Sequence, residues 1–428
     1  MLKLNSIPAS VFEACDVDNA QAPILKTNSA GNTETTHLYR SQIISTGRLV
    51  VCEYFGNMVN TNPNSLEKYN SRLKDSNIDY ASLSKGFWAK RFLFCANMAY
   101  KSIGAEPKTL EYAKNDYSLA NNHVFLRTME GIDRDILTPI FFSVIDAVGM
   151  GLMQWDEAAM GRTTEITVPS NDVFLFEDSS WGSGRSTSKN YLYAKTITLT
   201  PKMYSTNATI KWYQDIVNGD AGRYYRAIIG GMYSKIYAKL IGAMDTAIAG
   251  GKYIPSGLTS ETYSTQNWIT VTDKVAAVNG VRVDQLMAIG TRSALSNLLP
   301  VDGKGGAITG LQYGLGEEWF KNGYLPKASG IDLFPVTPAI VPGTQNSTIQ
   351  TIDTGDNIYI MAKSGYGYAP MRGVYAEGSP IILQSTPGGN VGTADFTIDL
   401  NVGALFDIVP LFASKVGVIK SVYPTTGA

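Results

Sequence analysis

Few side chains in this chain are able to do chemistry at neutral pH. Histidine occurs only at His37 and His123, and a hydrolase triad, a zinc site or a His-based acid/base pair needs one of these with suitable neighbours. His37 follows Thr35-Thr36 in a polar stretch, and His123 sits in Ala120-Asn121-Asn122-His123-Val124. Neither has a Cys, Asp or Glu at ligand or triad spacing, so both read as structural. The three cysteines, Cys15, Cys52 and Cys95, are odd in number, widely spaced and without a CxxC pair. A disulfide framework and a zinc site are therefore not expected, and a reducing cytosol is the natural setting. Gly251-Lys252 and Gly303-Lys304 lack the upstream glycine and the following Ser/Thr of a phosphate-binding loop. The run Asp302-Gly303-Lys304-Gly305-Gly306 follows Leu299-Pro300 rather than a strand and reads as a surface loop. Adjacent Glu317-Glu318 point to different faces of any element and make no natural dyad. The sequons at Asn207 and Asn346 matter only in a secreted chain. The expectation is a protein without catalytic, cofactor-binding or metal-ligating residues, and not an enzyme. The competing reading is a cytosolic enzyme with a carboxylate site near Asp284, Glu317 and Glu318.

Composition narrows the class. With 36 Lys+Arg against 37 Asp+Glu the formal net charge is -1, which argues against a general nucleic-acid binder, since phosphate affinity comes from clustered cations. The 428 residues suffice for two or three structural units. Hydrophobic residues make up 44% and aromatic residues 11%, as in an ordinary globular chain, but charged residues only 17%, below the usual figure of about 25%. The 24 tyrosines outnumber the 15 phenylalanines. Tyrosine has an apolar face and a polar tip, so it suits surfaces that meet partners. Met1-Leu2-Lys3 leads into Asn5-Ser6 with no apolar stretch, so no secretion signal is expected. The most apolar window, Ile136 to Trp155, contains Pro139, Asp146 and two glycines, and reads as a buried core element rather than a membrane span.

The elements that must carry any function follow in order. Residues 1–130 are polar and Asn-rich, with apolar periodicity over Ser65 to Lys74 and Ser84 to Ser102, and read as an extended arm with short helices. Residues 131–162 read as a helical element. From Thr163 the period changes: Thr163 to Val168 and Asp172 to Phe176 are strand-like, Asp178 to Lys189 has turn composition, and Tyr191 to Thr200 is strand-like again. Residues 163–200 thus predict a long hairpin, which alone is marginally stable in water and needs another surface. After Pro201-Lys202 the pattern predicts a helix over 221–249. There Ile228, Met232, Ile236, Leu240, Met244 and Ile248 recur every four residues, beside a second row of Tyr225, Ile229, Tyr233, Tyr237 and Ile241. A helix of about 29 residues is roughly 43 Å long. Gly230, Gly231 and Gly242 weaken it by about 1 kcal/mol each unless they let another backbone approach closely. Beyond 252, short strands alternate with helices: Leu286 to Gly290, a helix from Arg292 to Leu299, Gly330 to Val336, Asn357 to Ala362, then Phe396 to Val402 and Ala404 to Ile419. This pattern predicts an α+β fold.

That order of parts resembles the major capsid proteins of tailed bacteriophages with the HK97-like fold. The resemblance is carried by the hairpin Thr163 to Thr200, Pro201-Lys202, Ile210 to Ile216, the helix ending Met244-Asp245 to Gly250-Gly251, and the strands after Leu286. It covers roughly residues 130–428. It implies an N-terminal arm (1–130), a peripheral-domain helical element (131–162), a projecting hairpin or E-loop (163–200), a spine-helix region (201–254), an axial domain (255–395) and a return strand of the peripheral domain (396–428). It further implies self-assembly as hexamers and pentamers into an icosahedral shell around double-stranded DNA, without sequence-specific binding and without a membrane. Portal, scaffold and decoration proteins would be partners, the virion the final location, and the host bacterial cytoplasm the place of assembly. Some members of the family crosslink a hairpin Lys to an Asn of a neighbour, and Lys189 lies in the corresponding loop. The same fold also serves encapsulin-like nanocompartments.

Overall fold

The computed structural model describes residues 20–27, 31–54, 80–149, 153–159, 162–168, 195–212, 222–248, 254–298, 321–336, 338–344, 348–363, 369, 371–378, 380–388, 397–411 and 413–422. The chain is α+β. A hairpin of β1 (Gln21–Thr27) and β2 (Thr33–Tyr39) leads into α1 (Arg40–Tyr54) and α2 (Tyr80–Ser102). After α3 (Leu110–Asn115) comes α4 (His123–Gly149), then β3 (Met153–Ala158), β4 (Thr164–Val168), β5 (Lys195–Leu199), β6 (Lys202–Lys211) and α5 (Gly222–Ile248). The second half contains β7 (Thr259–Ser260), α6 (Thr265–Asn279), β8 (Leu286–Thr291), α7 (Arg292–Ser296), β9 (Lys327–Ala328), β10 (Ile331–Val336), β11 (Ala339–Ile340) and β12 (Thr351–Ile352). It closes with β13 (Asn357–Ala362), β14 (Met371–Ala376), β15 (Ile381–Gly388), β16 (Thr397–Pro410) and β17 (Gly417–Lys420).

Two larger sheets organise these elements. In the first, β16 pairs with β6 along Thr397–Phe406, with β15 along Thr397–Ala404 and with β14 along Phe406–Pro410, and β3 runs parallel to β14. Ile398, Leu400, Val402, Ala404, Phe406 and Ile408 alternate along β16 and are buried, on the face where α4 and α5 lie. The second sheet has the order β7-β17-β13-β8-β10-β9, with α6 packed on β13 and β17. Its strand β8 is buried at every position, as expected of a strand covered on both sides. Gly417 is required here, because a Cβ would stand 2.6 Å from Val275 and 2.8 Å from Val271 of α6.

Several boundaries differ from the sequence reading. Residues 80–121 are not an extended arm. Helix α2 is 23 residues long, and Phe87, Trp88, Phe92, Phe94, Cys95 and Ala99 are buried against α1 and α4. A helix enclosed on most sides is apolar all round, so its sequence lacks a one-sided stripe. The helix placed within 131–162 begins earlier, at His123, and gives way to strand β3 at Met153. The segment just after Pro201 is a ten-residue strand, β6, before the long helix begins. Residues 371–388 join the first sheet rather than staying with the second, and the segment 396–428 divides: β16 belongs to the first sheet and β17 to the second. Among the described residues nothing lies within 4 Å of a Cβ built at Gly230, Gly231 or Gly242, so no described backbone packs closely on these glycines. The Ser65 to Lys74 helix, the Asp172 to Phe176 strand and the Asp178 to Lys189 tip lie outside the described residues.

Pro139 sits inside α4. Proline has no N–H, so the carbonyl of Asp135, four residues earlier, loses its helical donor. Arg48 of α1 supplies the replacement: its Nε and Nη2 donate to the Asp135 carbonyl at 3.2 and 3.1 Å. Arg48→Met is expected to destabilise the subunit by about 1–3 kcal/mol, the cost of an orphaned buried acceptor. A urea midpoint shift at unchanged slope measures it.

Candidate assembly surface

Among the described residues, those weighed for chemistry do not come together. His37 is exposed on β2, opposite Pro23, and His123 is exposed at the start of α4. Asp284 is in an exposed turn, paired with Arg282 at 3.0 Å, while its carbonyl accepts from Lys363 Nζ at 2.7 Å. Cys95 is buried, and burial pushes its thiol up to about 12. It therefore stays protonated at neutral pH, and a thiol reagent such as DTNB is expected to modify Cys95 only on unfolding. A fast reaction in the native protein that peptide mapping assigns to Cys95, rather than to Cys15 or Cys52, would contradict this placement. Lys189, Glu317, Glu318 and the Gly303 to Gly306 run lie outside the described residues. Among the described residues no three His, Cys, Asp or Glu side chains gather as a metal site, and no helix is long and apolar enough to cross a membrane.

What the fold does build is a base for the predicted hairpin. Strands β4 and β5 pair antiparallel from Thr164↔Leu199 to Val168↔Lys195 and, among the described residues, join no other strand. They rest on the face of the first sheet that the helices leave open. There Ile166 and Leu199 pack with Ala158 of β3 and Val374 of β14, ringed by Ile197, Val409 and Leu411. Polar contacts fix the same corner. Arg372 Nη1 donates to both carboxylate oxygens of Asp156 at 3.2 and 3.0 Å, and Lys202 pairs with Asp407 at 2.8 Å. Hydrogen bonding to Asp407 raises the Lys202 ammonium, but this lysine is mostly exposed, so the pair adds little stability. Further along, the open face carries polar side-chain pairs. Asn207 Nδ2 donates to Asn401 at 2.9 Å and Thr209 Oγ1 to Asp399 at 2.7 Å.

Beneath the sheet, a buried ionic cluster ties α2, α4 and α5 together. Arg91 Nε donates to Asp133 Oδ1 at 2.8 Å, Arg91 Nη2 donates to Asp133 Oδ2, and the Tyr225 hydroxyl donates to Oδ1. Trp88 stacks on Tyr225 with centroids 5.3 Å apart, and the Arg91 guanidinium lies 4.8 Å above the Trp88 ring. Burial pulls the Arg91 guanidinium down, yet Asp133 more than offsets it, so the net shift is upward. Burial, reinforced by Asp133, holds the Tyr225 phenol well above its ordinary range. A second pair, Arg40 with Asp135, joins α1 to α4, and Arg134 Nε reaches Asp135 at 3.3 Å. Burial raises the Asp135 carboxyl despite these cations. Near the far end of α5, burial likewise raises Asp245, with the Tyr359 hydroxyl of β13 pulling the other way. Trp212 completes the support: it packs on Phe92 and Phe125 at 5.6 and 5.9 Å, and its Nε1 donates to the Lys114 carbonyl at 3.1 Å.

The edges of the first sheet are treated unequally. On β15 the Ser385 N–H donates to Glu130 Oε1, and Pro387, on the same edge two residues on, has no N–H. These devices blunt an edge against pairing. Strand β6 pairs only with β16 among the described residues. Beside it lies a groove of about 680 Å³ formed with α5, where Lys235 and Lys239 both stand 5.0 Å from the Tyr204 ring. In the second half, Phe334, Ile340 and Ile349 are exposed apolar side chains.

No protein-family model and no curated protein matches the sequence. Solved structures do. A capsid structure of the cyanophage P-SCSP1u is 10% identical, covers 63% of this chain and 86% of its own, and has a TM-score of 0.40. The capsid of a native GTA particle is 11% identical, with 66% and 91% covered and a TM-score of 0.39. The holo-SrpI encapsulin complex from Synechococcus elongatus PCC 7942 is 11% identical, with 64% and 88% covered and a TM-score of 0.35.

Proposed function

We propose that this chain is a capsid-shell subunit: the major capsid protein of a tailed bacteriophage, assembling as hexamers and pentamers into the icosahedral head around double-stranded DNA. The observation that carries this reading is the hairpin base. A two-stranded sheet of five residues per strand rests on its own subunit through Ile166, Leu199, Ala158 and Val374. An isolated two-stranded ribbon is marginal in water, so residues beyond the foot gain stability on a neighbouring subunit. The rest of the subunit supports that role. The long helix α5 is locked to the helical layer by Tyr225, Asp133 and Arg91, which gives the hairpin a stiff mount. The Asn- and Thr-lined open face suits large, hydrated contacts. Near-zero net charge suits an inner wall that encloses DNA without holding it tightly. The work is mechanical, done by repeated interfaces; portal, scaffold and decoration proteins are the partners this role requires.

The test is to express the full chain alone, and with any adjacent scaffold, and to examine it by size-exclusion chromatography and negative-stain electron microscopy. Closed shells, tubes or six-fold rings are expected. Particles filled with protein cargo instead of nucleic acid would redirect the reading to a nanocompartment. A monomer that no scaffold rescues would remove the shell reading and return the chain to the carboxylate-enzyme hypothesis.

A further inference from the structure

We propose that the groove between the first turns of α4 and the outer edge of β15 binds a phosphate group, either free or as the phosphodiester of a nucleic-acid strand. The groove encloses about 520 Å³, and its lining includes Asn121, His123, Arg127, Glu130, Ser385 and Thr386. His123 and Arg127 stand one helical turn apart on the same face of α4. Neither has an ion-pair or hydrogen-bond partner among the described residues. Among the described residues the one acid lining the groove is Glu130, whose Oε1 accepts the Ser385 N–H.

An independent observation comes from the floor. Ser385 is 8% exposed, lines the groove, and its hydroxyl has no partner among the described residues. A buried hydroxyl left unpaired signals a missing acceptor, and a phosphate oxygen is one. The 27-residue helix adds its positive end. Its first amides are not free, since Val124 and Phe125 N–H donate to Asn122 Oδ1 at 2.9 and 3.1 Å. Recognition therefore falls to side chains: a guanidinium, an imidazole, the Asn121 amide and the Ser385 and Thr386 hydroxyls. Charge-assisted hydrogen bonds from arginine are the strongest of these. The inference does not depend on how the chain assembles.

The test uses the full-length chain at low salt with two probes: inorganic phosphate followed by 31P line broadening, and a fluorescein-labelled oligothymidine followed by anisotropy. Saturable binding of at least one probe is expected. Arg127→Glu should weaken it about tenfold or more, without changing the unfolding midpoint, because Arg127 has no partner to lose. Glu130→Gln keeps an acceptor for Ser385 and removes a negative charge, so it should tighten binding about twofold to threefold. Ser385→Ala should weaken it. If phosphate binds and oligothymidine does not, the site takes the free ion. If the oligonucleotide binds with the same variant pattern, it takes the strand. Absence of saturable binding of both probes, or binding that ignores Arg127→Glu and Glu130→Gln, overturns the proposal.

Discussion

Asp133→Ala is expected to lower the stability of the subunit by about 3–5 kcal/mol, because it strands the Arg91 charge in the core. The carboxylate satisfies three donors from two elements, Arg91 Nε and Nη2 on α2 and the Tyr225 hydroxyl on α5. Removing it leaves a buried cation and a buried phenol without their acceptor. The pair as a whole is a different matter. Replacing Arg91, Asp133 and Tyr225 together by Met, Leu and Phe removes every polar group at once, and should recover most of the loss. Urea unfolding of the unassembled subunit measures both variants. If Asp133→Ala costs less than about 1 kcal/mol, Arg91 has access to solvent and the clamp is not what holds α5 to α2.

Deleting residues 169–194 and joining Val168 to Lys195 through Asn-Gly should leave the subunit folded and abolish its assembly. Val168↔Lys195 is the last described pair of the hairpin, and Asn-Gly closes two antiparallel strands in a tight turn. The cluster of Ile166, Leu199, Ala158 and Val374 stays complete, so circular dichroism and the unfolding midpoint should match the parent chain. Assembled material should fall below about a tenth of the parent yield, since each 1.4 kcal/mol lost from a contact is tenfold in its equilibrium constant. Shells formed in undiminished yield would show that these residues do not bridge subunits. The capsid reading would then have lost its main support.

How far the fold was legible depended on how local its cause was. The helix expected over 221–249 is observed at Gly222–Ile248, because a proline-free, four-spaced apolar row dictates its own conformation. Strands β8, β10 and β13 were likewise apolar runs bounded by turn residues. Strand β6 was hidden. Its sequence KMYSTNATIK is mostly polar, and of the positions on the helix side only Tyr204, Ala208 and Ile210 carry aromatic or apolar side chains. Helix α2 read as part of an arm because enclosure on many sides erases the one-sided pattern. The ionic cluster was invisible for a different reason: Arg91 and Asp133 lie 42 residues apart, and nothing local announces their meeting. The foot of the hairpin could be placed from β-branched strands. The surface it rests on could not, since that surface is assembled from β3, β14 and β16.

The threading of the two sheets bears on how this chain reaches its native state. Tyr375 of β14 meets Glu157 of β3 across 218 residues, and Asn207 of β6 meets Asn401 of β16 across 194. Long loops must close before such pairings return any energy, so the first sheet is a late and slow product of folding. Until β14 and β16 arrive, β3 and β6 have exposed pairing edges on a partly collapsed chain, the kind of species that aggregates as concentration rises. Refolding from urea should accordingly give native yields that fall with protein concentration and rise when a chaperone is present. The rate of supply of competent subunits would then be set within each chain, before any two chains meet.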